Sequence, residues 1–261
     1  MKSAIVIPAR YGSSRFPGKP LAMIGQQSLI ERVWRLACKA VSPSDVIIAT
    51  DDDRIQKHVS ALGARVVMTS ESCRNGSERV WEAIQSCDEL YDVVINLQGD
   101  TPLTPPQILV ELISFLEKHR DAVIATPAVQ LSYSEYTEIV KEVRERTGGT
   151  FVTTALDSRA LYFSRFPIPY ARQDSKIPDS FPLYKHIGVY AYRREALARY
   201  IELEPTPLEQ LEQLEQLRAL ENGLPIHVVK VSLDGRTMAS VDHPHDIQEV
   251  LEIIAREGEI L

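Results

Sequence analysis

The chain has 261 residues, of which 44% are hydrophobic and 25% are charged, and its formal net charge is −7. This composition predicts a globular protein with a sizeable core, and the acidic balance argues against a general nucleic-acid-binding protein. The sequence shows no signal-peptide pattern and no apolar run of membrane-spanning length, so we expect a cytoplasmic protein with no membrane partner. Its three cysteines lack C-x-x-C spacing, so we expect neither a disulfide framework nor a zinc site.

The first half of the chain alternates short β-branched runs with helical patterns. Strands are predicted at Ala4–Pro8, Asp45–Ala49, Arg65–Met68, Asp92–Leu97 and Ala122–Ala125. Helices are predicted through Leu29, Val33, Leu36 and Ala37, and over about Asp53–Leu62, Ser77–Cys87 and Pro105–His119. This alternation indicates an α/β protein built from βαβ units with a mainly parallel sheet, and ligands of such sheets bind beyond the carboxyl ends of the strands.

The loop after the first predicted strand combines glycines and serines with three cations, Arg10, Arg15 and Lys19. Backbone N–H groups and positive charge together suit a polyphosphate, so we interpret this loop as a nucleotide-binding element. It is not a P-loop, because Gly12 and Gly18 are one residue too far apart and Pro20 follows the lysine. No G-x-G-x-x-G motif is present, which disfavours dinucleotide binding. The alternative is an ordinary polar surface loop.

The pattern changes after about residue 130. Tyr133–Gly149 is predicted to be a surface helix and loop, and Phe151–Leu156 with Ala160–Ser164 to be a β-hairpin. Ile168–Tyr184 is rich in proline, which predicts a loop over the site or at a subunit contact. The remaining predicted elements are strands at His186–Tyr192 and Ile226–Val231, a helix over Leu208–Gly223 and a helix from about His243.

The segment that begins at Leu208 repeats Leu-Glu-Gln three times and places leucines three residues apart. At 100° per residue this stripe drifts around the helix, so its leucines spread over most of the surface. A helix that is apolar on several sides is buried between elements or lies at a dimer contact. Glu212 and Glu215 then cannot both face solvent, and the alternative is a solvated acidic face.

Two aspartates end short apolar segments and are candidate metal ligands. Asp100 follows Gln98 and Gly99 after a strongly apolar predicted strand, and a glycine there permits close backbone approach. Asp242 precedes a His-Pro dipeptide. Two carboxylates together with phosphate oxygens would complete a magnesium site. The alternatives are a turn or N-cap role for Asp100 and a helix-cap role for Asp242.

Four further residues are candidates whose role is ambiguous when each is considered alone. Ser77 and Arg79 lie where a turn leads into a helix, and the alternative for Ser77 is an N-cap. Arg165 follows the predicted hairpin, and His186 opens a predicted strand. A single arginine or histidine is more often structural or solvated than catalytic, so only their combination is informative.

In combination, these segments resemble the 3-deoxy-manno-octulosonate (Kdo) cytidylyltransferase family. The matching segments are, in order, IPARYGSSRFPGKPL, VVMTS, NGSERV, VINLQGD, ALYFSR, YKHIGVYAYRREAL, LEQLRALENG and VDHPHDI. The resemblance implies a Rossmann-like nucleotidyltransferase fold, with helices on both faces of a mainly parallel central sheet and a β-hairpin elaboration in the second half. It implies one domain, residues 1–261, in which about 1–130 bind the nucleotide and about 131–240 bind the sugar and a second subunit.

The family makes CMP-Kdo and pyrophosphate from CTP and Kdo for lipopolysaccharide or capsule synthesis, so the resemblance implies a cytoplasmic, magnesium-dependent homodimer. The implied triphosphate-binding residues are Arg10, Arg15 and Lys19, and those implied around the nucleotide and sugar are Ser77, Arg79 and Gln98. The implied Mg²⁺ ligands are Asp100 and Asp242. The residues implied to line the sugar-acid pocket are Gln98, Arg165, His186, Glu212 and Glu215, with Arg165 against the carboxylate. The implied catalytic residues are Arg15, Lys19 and Asp100.

The implied reaction joins two anions, because the anomeric hydroxyl of the sugar acid attacks the α-phosphate of CTP and pyrophosphate leaves. The site must therefore neutralise charge, which Arg15, Lys19 and magnesium are expected to do. No side chain is an obvious general base, and this favours metal activation combined with positioning of the reactants.

Two places depart from the family pattern. Thr101 stands where the family usually has glutamate, and the segment Phe151-Val152-Thr153-Thr154 lacks a lysine that the family often has. Both departures change the charge near the expected site, but neither removes a metal ligand. The alternative substrate is therefore a modified Kdo, such as an 8-amino form, or another 2-keto sugar acid.

Three other functions fit parts of the pattern. A sugar-phosphate nucleotidyltransferase would require a basic phosphate pocket, whereas Glu212 and Glu215 suit a hydroxyl-rich substrate. A glycosyltransferase of similar topology would require a D-x-D motif near the metal, and residues 98–100 do not form one. A non-catalytic nucleotide-binding protein is expected to have lost its cationic and metal-binding positions, and all of them are present: Arg15, Lys19, Asp100 and Asp242.

Overall fold

The structure, a computed structural model, describes residues 1–13, 15–142, 149–171 and 181–261. The end of the predicted surface loop before Gly149 and the middle of the proline-rich segment 168–184 lie outside the described residues. The chain divides into two compact units, Met1–Ser114 with Leu233–Leu261, and Phe115–Ser232. Within the described residues, no helix has the length and apolar character that crossing a bilayer requires.

The elements alternate between strands and helices as far as residue 142. The strands are β1 (Ser3–Ala9), β2 (Met23–Ile24), β3 (Gln27–Ser28), β4 (Val46–Thr50), β5 (Arg65–Met68), β6 (Val93–Asn96), β7 (Ile124–Gln130), β8 (Phe151–Thr154), β9 (Ala160–Ser164), β10 (Tyr184–His186), β11 (Tyr190–Arg193) and β12 (Ile226–Val231). The helices are α1 (Leu29–Ala37), α2 (Asp53–Ala61), α3 (Gly76–Gln85), α4 (Pro106–Lys118), α5 (Tyr133–Glu142), α6 (Arg194–Ile201), α7 (Pro207–Glu212), α8 (Gln216–Glu221) and α9 (Asp246–Glu257).

The first unit contains a parallel sheet in the order β5-β4-β1-β6. Every residue of β4 and β6 is buried, and Ala4, Ile5, Val6 and Ile7 of β1 are fully buried. Strands covered on both faces are near-continuous apolar runs, which is why the sequence predicted them well. The predicted mixed α/β fold with a mainly parallel sheet is confirmed for this unit. The polar loops of interest begin where β1, β4 and β6 end.

The second unit is organised around β7. This strand pairs in parallel with β12 from Ile124 to Val129, and antiparallel with β11 and β10. The predicted hairpin is present as β8 and β9, with a register shift between Thr153 and Thr154. The strand predicted at Ala122–Ala125 in fact begins at Ile124 and continues to Gln130.

Two predictions of continuous elements are wrong. The strand predicted at His186–Tyr192 is interrupted, because the amide of Val189 donates to the carbonyl of Ile187 at 2.7 Å and forms a tight turn between β10 and β11. The helix predicted over Leu208–Gly223 is two short helices, α7 and α8, separated by Gln213 in the left-handed region at φ 55°.

The break at Gln213 follows from the leucine spacing. A three-residue repeat does not match the 3.6-residue turn, so one straight helix cannot bury all of its leucines on one face. These leucines are Leu208, Leu211, Leu214, Leu217 and Leu220. The break leaves Leu214 and Leu217 buried, while Leu211 is 81% exposed. An ion pair between Arg218 and Glu209, both buried, joins the two short helices.

Gly99 is placed where a side chain would not fit. A Cβ atom there would lie 2.8 Å from the carbonyl oxygen of Pro8, a rigid backbone neighbour. We therefore expect Gly99→Ala to lower the free energy of unfolding by about 1–3 kcal/mol through overpacking. Chemical denaturation measures this, with Gly12→Ala as the matched control, since a Cβ at Gly12 meets nothing within 4 Å. Equal stability of the two variants would contradict the close approach.

Candidate functional site

The loop after β1 closes on itself before it reaches Lys19. The amide of Gly18 donates to the carbonyl of Tyr11 at 2.9 Å, and Gly18 adopts a left-handed φ of 74°. The guanidinium of Arg54 lies over the Tyr11 ring, 3.2 Å from its centroid. The loop is therefore anchored at both ends, and a short 3₁₀ turn, Lys19–Leu21, follows it.

Lys19 joins the two aspartates that the sequence proposed as metal ligands. Its ammonium nitrogen donates to Asp100 Oδ2 at 2.8 Å and lies 3.5 Å from Asp242 Oδ1. The lysine side chain is only 16% exposed. The amide of Val241 also donates to the carbonyl of Asp100 at 2.8 Å, which fixes the two acidic segments side by side. Residues from three distant segments of the chain thus form one charged cluster within the first unit.

The other two predicted cations of the loop differ in their contacts. Arg15 donates to Asp242 Oδ1 at 3.0 Å, although its side chain is 59% exposed. Arg10 is exposed and makes no hydrogen bond or ion pair with another described residue. The structure therefore brings Arg15 and Lys19 to the aspartates, but not Arg10.

The capping roles considered for the two aspartates do not apply, although Asp100 does lie in a turn, as its other alternative proposed. The Asp242 carboxylate accepts from Arg15 rather than from the helix that follows, and it is Asp246 Oδ2 that accepts from the amides of Asp242 and His243, both at 2.7 Å. The Asp100 carboxylate accepts from Lys19 instead of capping a helix.

The number and type of metal-ligating side chains limit what the aspartates can bind. No group of three or more His, Cys, Asp or Glu side chains among the described residues is arranged to hold a metal ion. Asp100 and Asp242 nevertheless reach the same ammonium, so their oxygens converge on one point. Two carboxylates fit a hard cation that takes its other ligands from phosphate and water, as Mg²⁺ does.

Arg79 is locked in place beside the carboxyl ends of β4 and β5. Its side chain is 4% exposed and donates to Asp51 Oδ2 and to Thr69 Oγ1, both at 2.5 Å. Asp51 and Thr69 directly follow the two strands. With its charge already paired, Arg79 holds these strand ends together. Any contact with a nucleotide would use the guanidinium N–H groups that do not bind Asp51 or Thr69.

Ser77 is not the N-cap of α3. The cap is Asn75, whose side chain accepts from the amide of Glu78. Ser77 is buried two residues further on, and its hydroxyl oxygen accepts from the side-chain amide nitrogen of Asn96 at 3.3 Å. Gln98 Nε2 in turn donates to Asn96 Oδ1 at 3.1 Å. This chain orients the Gln98 amide at the end of β6.

In the second unit, Glu212 and Arg165 connect α7 to the hairpin. The Glu212 carboxylate accepts from the Ser164 hydroxyl at 2.9 Å, from the Arg165 amide at 2.8 Å and from the Tyr162 hydroxyl at 3.3 Å. The Arg165 guanidinium donates to the carbonyls of Glu212 and Gln213 at 3.3 and 3.0 Å. Glu212 is half-buried and accepts three hydrogen bonds from the hairpin segment, so its first role is structural.

Glu215 contributes differently from Glu212. Its side chain is exposed, and its carbonyl accepts from the Tyr200 hydroxyl at 2.9 Å. The expectation that the two glutamates would not both face solvent is therefore met, because Glu212 is half-buried while Glu215 is exposed.

His186 is buried at the end of β10 and is neutral at physiological pH. Burial lowers the pKa of its imidazole to about 3, and the positive charge of Arg165 acts in the same direction. Its Nε2 lies 2.8 Å from Thr126 Oγ1. A histidine with this pKa is too weak a base to accept a proton from the substrate at neutral pH, so it is suited to hydrogen bonding.

The sequence reasoning missed the partners that hold the predicted residues. Asp51 and Thr69 fix Arg79, and Thr126 holds His186. Thr126 had a signal in the sequence, because it is the one hydroxyl residue among Val123–Ala128, an otherwise apolar run. A buried hydroxyl requires a partner, which an apolar strand does not provide by itself.

Comparisons with known proteins agree with the resemblance found in the sequence. A family model described as Cytidylyltransferase matches residues 4–230. The 3-deoxy-manno-octulosonate cytidylyltransferase of Maricaulis maris is 46% identical over 264 residues, and the alignment covers 100% of both chains. The 8-amino-3,8-dideoxy-manno-octulosonate cytidylyltransferase of Shewanella piezotolerans is 42% identical, with 95% of this chain and 96% of that protein covered.

A solved structure is similar over nearly the whole length. It is that of CMP:2-keto-3-deoxy-manno-octonic acid synthetase complexed with CTP, with a TM-score of 0.86 and 35% sequence identity. The similarity covers 98% of this chain and 100% of that chain.

Proposed function

Because the chain belongs to the 3-deoxy-manno-octulosonate cytidylyltransferase family, we propose that it transfers CMP from CTP to a Kdo-type sugar acid and releases pyrophosphate. The observation that carries the proposal is the convergence of Lys19 and Arg15 on Asp100 and Asp242. A cluster of two cations and two carboxylates suits a triphosphate bound together with a divalent cation.

The cations of this cluster serve the nucleotide. Lys19 and Arg15 neutralise the triphosphate and stabilise the charge that develops on the leaving pyrophosphate. Asp100 and Asp242 are the residues that would hold Mg²⁺, which when bound supplies further positive charge to the phosphates. In the described structure the carboxylates and the cations are paired with one another, so binding of a metal nucleotide exchanges each pair for a new partner of opposite charge.

The sugar acid is assigned to residues of the second unit, namely Arg165, His186, Glu212 and Glu215. The guanidinium of Arg165 is the cation that pairs with the substrate carboxylate. Neutral His186 binds a hydroxyl group and does not act as general base. Because His186 serves as a hydrogen-bonding group, attack on the α-phosphate depends on alignment of the two substrates.

The assembly and the cellular setting extend the proposal. The chain acts as a cytoplasmic homodimer that contributes to lipopolysaccharide synthesis, and its second half forms the dimer contact. Exposed leucines in that half support the contact: Leu161 is 63% and Leu211 is 81% exposed. Sedimentation of the purified protein at micromolar concentration tests this, and a monomer would contradict it.

The proposed function is tested by measuring pyrophosphate release with each of the four NTPs against a panel of acids. The panel contains Kdo, its 8-amino form, a nine-carbon 2-keto acid and a sugar phosphate. We expect release with CTP and a Kdo-type acid at a rate at least about a hundredfold above that with ATP or GTP, because a site that hydrogen-bonds one base leaves polar groups unpaired with another. Release with no 2-keto acid, or only with the sugar phosphate, would overturn the proposal. The 8-amino form is included because the Shewanella piezotolerans relative is named for it.

A further inference from the structure

Thr126 lies in β7 with its side chain fully buried, and its hydroxyl has two kinds of neighbour. One is the imidazole of His186, with 2.8 Å between Oγ1 and Nε2. The other is backbone carbonyl oxygen, of Val189 at 2.7 Å and of Ile187 at 3.4 Å. Both carbonyls belong to the turn that interrupts β10 and β11.

The direction of these hydrogen bonds follows from elementary chemistry. A carbonyl oxygen can only accept, so the single proton of the Thr126 hydroxyl is used toward Val189. The hydroxyl oxygen then has only lone pairs left for His186, and Nε2 must be the donor. A neutral imidazole carries one N–H, so Nδ1 is left as an acceptor. No described residue donates a hydrogen bond to Nδ1 of His186.

The surroundings of the ring keep this arrangement in place. Phe163 meets the imidazole edge-on at 5.1 Å between centroids, and Tyr190 lies at 5.4 Å on a tilted plane. Burial and the charge of Arg165 keep the ring neutral by lowering its pKa to about 3, so Nδ1 retains its lone pair throughout the physiological range.

We infer that Thr126 is a positioning residue that fixes the Nε2–H tautomer of His186, so that Nδ1 accepts a hydrogen bond from a hydroxyl group of the sugar acid. The inference rests on the proposed function for the identity of the substrate, but not for the tautomer. This tautomer makes the site selective for a substrate group that donates a hydrogen bond to Nδ1. An ether or carbonyl oxygen at the same position would face the lone pair of the nitrogen.

The tautomer is measured directly by long-range ¹H–¹⁵N correlation spectra of the histidine ring nitrogens in the full chain. We expect the His186 signals, assigned by their loss in His186→Gln, to be those of the Nε2–H form. In Thr126→Val, which has nearly the same shape but no acceptor, we expect a mixture of both tautomers. A wild-type ring protonated at Nδ1 would overturn the inference, whether or not the enzyme is active.

Kinetics test the consequence for the substrate. We expect Thr126→Val to raise KM for the sugar acid about tenfold, the loss expected for one neutral hydrogen bond, and to leave KM for CTP within about twofold. Thr126→Ser keeps the hydroxyl and should restore most of the affinity. Equal KM values for the valine and serine variants would contradict the inference, and their unfolding midpoints show whether both variants are folded.

A pair of substitutions at His186 distinguishes its two nitrogens. The amide of glutamine lies near the position of Nε2, and that of asparagine lies near Nδ1. His186→Asn keeps an acceptor for the substrate and no longer depends on Thr126, so adding Thr126→Val to it should change KM less than about twofold. If Thr126→Val raised KM for the sugar acid as much in the His186→Asn background as it does in the wild type, Thr126 would act independently of His186, which would contradict the inference. If the wild-type chain released no pyrophosphate with any acid, the proposed function would fail while the spectra still decided the tautomer.

Discussion

Asp100→Ala is expected to reduce kcat by about 10²- to 10³-fold or more, the effect of removing one group that stabilises charge in a transition state. The carboxylate accepts from Lys19 at 2.8 Å and is 30% exposed, so it is open to a ligand and is not part of the core. The fold should therefore survive the substitution. In Asp100→Asn, which preserves the shape, we expect the Mg²⁺ concentration for half-maximal rate to rise as well.

Steady-state rates with saturating CTP and sugar acid test this prediction, and thermal unfolding checks the fold. The matched control is Asp157→Ala, which also removes an exposed, ion-paired aspartate, since Asp157 is 52% exposed and pairs with Arg159. The control should retain its rate. An Asp100→Ala variant as active as the Asp157→Ala variant would contradict the role of Asp100 at the metal and phosphates.

Lys19→Met is expected to lower kcat/KM for CTP by about 10²- to 10³-fold. Its ammonium is the cation that contacts both Asp100 and Asp242, and it is nearly buried. Its removal takes positive charge away from the triphosphate and leaves two carboxylates facing each other, which adds an electrostatic cost to binding an anion. Lys19→Arg should recover only part of the loss, because the planar guanidinium does not replace a compact ammonium.

Lys57→Met is the matched control for Lys19, because Lys57 is an exposed lysine of α2. It should leave kcat/KM for CTP unchanged. If both methionine variants had the same kcat/KM, Lys19 would not contact the triphosphate. KM for the sugar acid should change little in either variant, which separates a nucleotide defect from a general loss of folding.

The parts of the fold that were predictable share one property, which is a local pattern that agrees with the tertiary structure. Arg65–Met68 and Ile226–Val231 were predicted with the bounds that the structure has, because β-branched runs flanked by turn residues have few alternatives. The leucine repeat led to the wrong prediction of one continuous helix. Its residues have a high helix propensity, but leucines three residues apart cannot form one apolar face of a helix. The interruption at Ile187–Val189 was not predictable from the local pattern, and the hydroxyl that donates to the carbonyls of this turn belongs to Thr126, more than sixty positions earlier.

The part of the candidate site that was predictable consists of residues that directly follow predicted strands. The rule that loops at the carboxyl ends of parallel strands meet on one edge anticipated the approach of Lys19 to Asp100. Asp242 was a candidate metal ligand because it ends a short apolar segment, but nothing local related residue 242 to the first loop, so its contacts with Arg15 and Lys19 were not predicted. The pairing of Arg79 with Asp51 was not foreseen, because both residues are polar positions whose partners are set by packing alone.

The proposed reaction transfers the α-phosphate of CTP to the sugar acid. It is tested most directly by incubating the chain with Mg²⁺, Kdo and CTP labelled with ³²P at the α position, and separating the products. We expect the label to appear in a CMP-sugar in an amount equal to the pyrophosphate released. Label that remains in CTP, or that appears only in CMP or CDP without a sugar conjugate, would contradict it.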